Sequence, residues 1–179
     1  MKLTFENYLN ESHSYACVMA DIKNEKILNV VSELQSKINR FTVSSQDGDS
    51  VKNGLETNTH ITIFYGLDDN VINSPNFKNI IKKYKDHVLD LTVKEVSYFE
   101  SDDYRVCKLG CESKTLSLIH NDIRDTLPHH NTFPDYKPHI TIAYLKKDAQ
   151  NIEHNIEFPI ELELESYYIC LTNDLKIKL

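Results

Sequence analysis

The sequence predicts an α+β domain in two related halves, and three observations carry that expectation. The segment HITIFYG at residues 60–66 recurs as HITIAYL at 139–145, so His-Ile-Thr-Ile-x-Tyr is written twice. Strand-like and helix-like apolar periodicities alternate in the order β, α, β, α, β, β, α, β, β. A chain of 179 residues with a 40% hydrophobic fraction and ten tyrosines can bury a core without staples.

Taken in order, residues 14–22 (SYACVMADI) read as a buried strand. Residues 24–40 follow as a helix, because Ile27, Val30, Val31, Leu34 and Ile38 recur at helical spacing. The turn-rich stretch 44–54 (SSQDGDSVKNG) is a loop suited to a mobile flap. After the first motif strand, Ser74 as N-cap and Pro75 at the first helical position open a helix over 74–88. Two strands rich in valine and tyrosine, 89–99 and 104–111, precede a third helix over 113–127, with Leu116, Ile119, Ile123 and Leu127 on one side. A proline-flanked loop, 128–138, leads into the second motif strand. The run 156–172 reads as a final half-exposed strand, Ile160, Leu162 and Leu164 alternating with Glu161, Glu163 and Glu165. The domain therefore spans 13–179, preceded by a polar leader at 1–12, and each half holds one helix and one copy of the motif.

Composition narrows the function. The formal charge is −7 with no cationic cluster denser than Lys82, Lys83 and Lys85, which argues against binding a long nucleic acid through many phosphates. A small nucleotide held by a few local groups remains compatible. Cys17, Cys107, Cys111 and Cys170 sit in apolar stretches without zinc or redox spacing and read as buried reduced thiols. No signal peptide or long apolar span is present, so the reading is of a soluble intracellular protein with no membrane partner.

Alternate residues of a strand share a face. His60 and Thr62 therefore project together away from Ile61 and Ile63, as do His139 and Thr141 away from Ile140 and Ile142. A pseudo-two-fold relating the halves brings both imidazoles and both hydroxyls to one cleft. Two histidines can then divide acid–base work, one accepting a proton and the other donating one, while the threonines donate to phosphate oxygens. Which histidine takes which role stays open at this level. Neither motif supplies a second ligand at metal-site spacing, and the adjacent His129 and His130 are the only other clustered imidazoles, so no metal and no cofactor is expected.

The paired His-x-Thr strands and the YKPHITIAYL context resemble the two-histidine (2H) phosphoesterase superfamily over Tyr15 to Thr172. That resemblance implies a bilobal, pseudo-two-fold arrangement of two antiparallel sheets around a central cleft with flanking helices. Within the superfamily, NTHITIFYGL and FPDYKPHITIAYLK look most like phage anti-CBASS nucleases, which degrade the cyclic oligonucleotide messengers of bacterial defence. The implied catalytic residues are His60, Thr62, His139 and Thr141. The implied reaction is metal-independent attack of a ribose 2′-hydroxyl on the adjacent 3′-phosphate of a 3′,5′-linked cyclic di- or trinucleotide, in the cytoplasm of an infected bacterium. No obligate protein partner is implied.

Tyr15, Tyr136 and Tyr168 are candidates for stacking on a base, with Tyr167 beside them, and Lys137, Lys146 and Arg105 for offsetting the acidic surface. Tyr65 and Tyr144 share the isoleucines' parity and are expected to face away from the histidines. The opening MKLTFENYLNE resembles capsid-targeting peptides of large T-even-type phages, with Leu9, Asn10 and Glu11 fitting the cleavage signal, which would package the protein in the virion. The same four site residues would also serve a 2′,5′-oligoadenylate phosphodiesterase or an RNA 2′,3′-cyclic phosphodiesterase. A nucleotide-sequestering module and a virion structural protein are the non-enzymatic alternatives.

Overall fold

The computed structural model describes residues 15–38, 51–52, 54–133 and 135–179. The leader at 1–12 and most of the 44–54 loop lie outside the described residues.

The described chain runs β1 (Ala16–Asp21), α1 (Glu25–Ser36), the short β2 (Val51–Lys52) and β3 (Leu55–Glu56), then the motif strand β4 (His60–Leu67). A 3-10 turn at Asp69–Asn73 leads into α2 (Pro75–Tyr84), and β5 (Leu89–Glu100) and β6 (Tyr104–Glu112) follow. Next come α3 (Lys114–Thr126), the second motif strand β7 (His139–Lys146), β8 (Ile160–Leu164), β9 (Tyr168–Cys170) and β10 (Lys176–Lys178). Local chemistry sets the helix starts. Asn24 accepts from Ile27 N at 3.2 Å and the Ser113 hydroxyl from Leu116 N at 3.0 Å, satisfying donors that a first turn leaves open. Ser74 occupies the N-cap of α2 without a side-chain bond, and Pro75 supplies the preset φ.

The strands form one curled, wholly antiparallel sheet in the order β10-β9-β1-β4-β7-β6-β5-β8. Its two lobes, β10-β9-β1-β4 and β7-β6-β5-β8, meet at the single residue pair Ile61–Ile140, with β3 also paired to β7 at Leu55–Ala143. This is the bilobal α+β fold expected of a 2H phosphoesterase, its two antiparallel halves joined edge to edge. The helices bridge the halves: α1 follows β1 yet contacts β7, and α3 follows β6 yet contacts β4 as well as β5.

One face of the sheet carries the main core. It takes Ile27, Val30, Val31 and Leu34 from α1, Phe77 and Ile80 from α2, and Leu116, Ile119 and Ile123 from α3, against Ile61, Ile63, Leu109, Ile140 and Ile142 of the strands. Two smaller clusters form on the opposite face, one per lobe: Cys17, Tyr168 and Cys170 with Met19 and Tyr65, and Tyr104, Val106 and Tyr144 with Phe99.

The run 156–172 is not one strand. β8 closes the outer edge of one lobe against β5, and β9 pairs with β1 in the other, because the Ile/Leu–Glu alternation stops at Leu164 and residues 165–167 cross between lobes. The helices also end early: α1 stops at Ser36 and α2 at Tyr84.

Candidate active site

The four motif side chains gather where the lobes meet. Ile61 and Ile140 are antiparallel partners facing the core, so one step along the strands sets His60 opposite Thr141 and Thr62 opposite His139 on the other face. His60, Thr62 and His139 are half-buried and Thr141 is buried.

Both imidazoles are oriented alike. His60 Nδ1 lies 2.7 Å from Asn58 O, and His139 Nδ1 lies 2.8 Å from Lys137 O. A carbonyl only accepts, so each Nδ1 carries the proton in that bond and each Nε2 is left for chemistry. The carbonyls are themselves held. Glu56 Oε1 accepts from Asn58 N at 3.1 Å and Gln35 Nε2 donates to Glu56 O at 2.7 Å, while Cys111 N donates to Pro138 O at 2.9 Å beside Lys137.

Both motif strands are bulged at corresponding places. In β4 the register against β1 skips Ile63, between Thr62–Met19 and Phe64–Val18, and in β7 the register against β6 skips Ile142, between Thr141–Lys108 and Ala143–Cys107. A bulge inserts one residue and inverts the alternation beyond it. Tyr65 and Tyr144 therefore join the face of the histidines, contrary to simple parity: Tyr65 packs with Cys17 and Met19, and Tyr144 with Val106 and Tyr104.

Across each lobe the site face can be read in rows. On one side, Asp21 faces His60, Met19 faces Thr62 and Cys17 faces Tyr65, with Tyr168 and Cys170 beyond Met19 and Cys17. On the other the rows are His139–Gly110–Glu95, Thr141–Lys108–Ser97 and Tyr144–Val106–Phe99. Lys108 is 7% exposed, donates to the Ser97 hydroxyl at 2.7 Å and lies 4.3 Å from the Phe99 ring centre. The Phe99 ring meets His139 edge-on at 4.8 Å. Burial lowers the His139 pKa, the charges of Lys108 and His60 act in the same direction, and against the bond to Lys137 O the imidazole settles at about 4. Burial likewise lowers the Lys108 pKa, opposed by Glu95.

The structure distributes the other expected residues unevenly. Tyr15 lies on the site face, stacked on His130 at 4.4 Å and edge-on to Tyr65 at 6.0 Å. Lys137 is exposed at the rim. Tyr168 shares the face but is buried, its hydroxyl donating to Asp21 at 2.7 Å and its ring 4.5 Å from Lys176 Nζ. Tyr136 packs on the core side, its ring stacked on His120 at 4.4 Å and its hydroxyl donating to Thr62 O at 3.2 Å, so it buttresses β4 from behind. Arg105 has the opposite parity to Lys108 and is engaged there by Glu100, Ala149 O, Asn151 and the Tyr98 ring. Lys108, Asp21, Glu95 and Lys176 are site-face charges that the sequence did not single out. The available signal for Lys108 was its parity, shared with Gly110 and opposite to that of Arg105.

Residues 28–176 match the family model of the anti-CBASS protein Acb1. The chain belongs to the anti-CBASS Acb1 family. An Acb1-family protein acts against CBASS defence. A crystal structure of TT0787 of Thermus thermophilus shares the fold, with a TM-score of 0.59 at 13% identity over 87% of this chain and 86% of that one. No curated protein matches. Among the described residues no three His, Cys, Asp or Glu side chains gather in a metal-holding group, and no helix is long and apolar enough to cross a membrane. His129 and His130 diverge, the first edge-on to Phe64 and the second stacked on Tyr15.

Proposed function

We propose that this Acb1-family protein is a metal-independent phosphodiesterase that opens 3′,5′-linked cyclic di- or trinucleotides in the cytoplasm of the infected cell. The observation that carries the reading is the matched pair of imidazoles, each tied through Nδ1 to the carbonyl two residues earlier and each leaving Nε2 on a face shared with two threonine hydroxyls.

The two lobes suggest a division of labour. His139, with its pKa near 4, is neutral at neutral pH and takes the base role, which leaves the acid role to His60. His139 Nε2 accepts the ribose 2′-hydroxyl proton as O2′ bonds to the adjacent phosphorus. The P–O5′ bond breaks, its electron pair stays on O5′, and that oxygen takes the proton carried on His60 Nε2. The products are a 2′,3′-cyclic phosphate at one end of a linear oligonucleotide and a 5′-hydroxyl at the other. Thr62 and Thr141 donate to the phosphate oxygens and hold phosphorus between the rings. Tyr15 and Tyr65 offer an aromatic shelf for a base on the His60 lobe, at the far end of β1 and β4 from His60 itself, where stacking contributes about 1–3 kcal/mol per base. Lys137 supplies positive charge at the rim.

The test is incubation in EDTA with 3′,3′-cyclic dinucleotides, cyclic trinucleotides, 2′,5′-oligoadenylate and 2′,3′-cyclic mononucleotides, with products read by chromatography and mass. Linearisation of the cyclic 3′,5′ compounds, lost in His60→Ala and His139→Ala, is expected. Turnover confined to the last two substrates would move the activity to another 2H reaction. Tight binding without turnover would make the protein a sequestering module, and loss in EDTA restored by a divalent cation would overturn the mechanism.

A further inference from the structure

Lys108 is the one lysine or arginine buried among the described residues. Lysine is rarely buried without a carboxylate partner, because removing an ammonium from water costs several kcal/mol unless its charge and donors are met. Here one donor goes to a neutral hydroxyl, Ser97, and one side of the ammonium faces the Phe99 ring. No described carboxylate lies in ion-pair range. The nearest acidic influence is Glu95, an exposed side chain leaning over Gly110 in the neighbouring row.

The pseudo-two-fold sharpens the point. Lys108 faces Thr141 as Met19 faces Thr62, so the two residues occupy equivalent places in the two lobes. A methionine satisfies that position's packing in one lobe without a charge. A lysine in the other is therefore not demanded by the fold.

We propose that Lys108 is the phosphate anchor of the cleft, its ammonium aimed by Ser97 and Phe99 beside Thr141 so that it binds the non-bridging oxygens of the scissile phosphodiester from one lobe only. The identity of that diester rests on the phosphodiesterase reading; affinity for a phosphate anion does not. A bound phosphate supplies the counter-charge that the protein withholds, and a fixed ammonium in a dry site stabilises the extra charge on the equatorial oxygens as O2′ attacks.

The test compares wild type with Lys108→Met, which copies Met19, and with Lys108→Arg. Inorganic phosphate is titrated in while the His60 and His139 imidazole signals are followed by NMR, and Lys108→Met should weaken the phosphate affinity at least tenfold. Thermal melting runs alongside. An apolar side chain of similar length in place of a buried ammonium should melt at or above the wild-type temperature. On a cyclic dinucleotide, kcat/KM should fall about a hundredfold or more, with Lys108→Arg recovering part of it. The acid limb of the Lys108→Met profile should also move to higher pH, since Lys108 on β6 then no longer acts on His139, leaving Lys137 before β7, His60 on β4 and Glu95 on β5. Unchanged phosphate affinity and kcat/KM in Lys108→Met would overturn the proposal. So would a melting temperature far below wild type, which would make Lys108 a structural residue. If wild type cleaves no cyclic dinucleotide while phosphate binding still depends on Lys108, the substrate reading fails and the anchor stands.

Discussion

The His60 lobe and the His139 lobe are built from the same six-residue pattern, with the same bulge and the same Nδ1 tether, yet they present different environments. Around Thr62 the neighbours are Met19, Cys17, Cys170 and Tyr65, an apolar surface edged by Tyr15. Around Thr141 they are Lys108, Ser97 and Phe99. Asp21 stands across from His60, whereas Gly110 stands across from His139. Duplicated backbone geometry delivers two equivalent imidazoles, and the unduplicated neighbours make them chemically unequal. The proposed acid–base pair uses that inequality, because burial keeps the His139 ring neutral and able to accept a proton.

The comparison breaks most completely when either imidazole is removed. His60→Ala and His139→Ala should each lower kcat by about 10²–10⁴-fold or more in a single-turnover assay on a cyclic dinucleotide. If both act in the same step, the double variant should be little worse than either single one, and multiplicative losses would separate them into different steps.

The repeat and the three helices were legible in the sequence because each rests on a local pattern, a twice-written His-x-Thr or a 3.6-residue periodicity, and the repeat also named the four side chains that the lobes bring to one face. What depends on register was not. Tyr65 and Tyr144 read as facing away because strict alternation holds only in an unbulged strand, and nothing local announces that Ile63 and Ile142 are skipped by their partners. Arg105 attracted attention as a cation near the site, whereas Lys108, three positions on and of opposite parity, is the one on the site face. The split of 156–172 between lobes is likewise a tertiary fact, since β8 and β9 find partners far apart in sequence. Tyr136 fits a stacking role by its position three residues before His139, but its ring is taken by His120 and its hydroxyl by Thr62 O.

Smaller substitutions sharpen the contrast between the lobes. Thr62→Val and Thr141→Val each remove one donor to a charged oxygen, a loss of about 1.5–3 kcal/mol, or roughly ten- to a hundredfold in kcat/KM. The Thr141 variant should suffer the larger effect, since its hydroxyl works beside Lys108, and equal losses would argue against one-sided phosphate binding. Smallest is Tyr136→Phe, which leaves Thr62 O without its 3.2 Å donor and should cost about 1 kcal/mol in denaturant unfolding with a modest change in rate. A large fall in kcat there without a stability change would instead give Tyr136 a direct part in the reaction.

The depressed His139 pKa also links to stability. The unfolded side chain takes up its proton near the ordinary value of 6.5 and the folded one only near 4, so His139 lowers folding stability as the pH falls through that window and contributes no such loss above it. The measurement that tests the inequality of the two lobes most directly is a pH titration of the His139 imidazole by NMR, with its signals assigned through His139→Gln. The expected result is a neutral ring protonated on Nδ1 that stays neutral well below pH 6 and titrates near 4. A His139 that titrates near the ordinary 6.5, or that carries its neutral-state proton on Nε2, would contradict the assignment of this residue as the base.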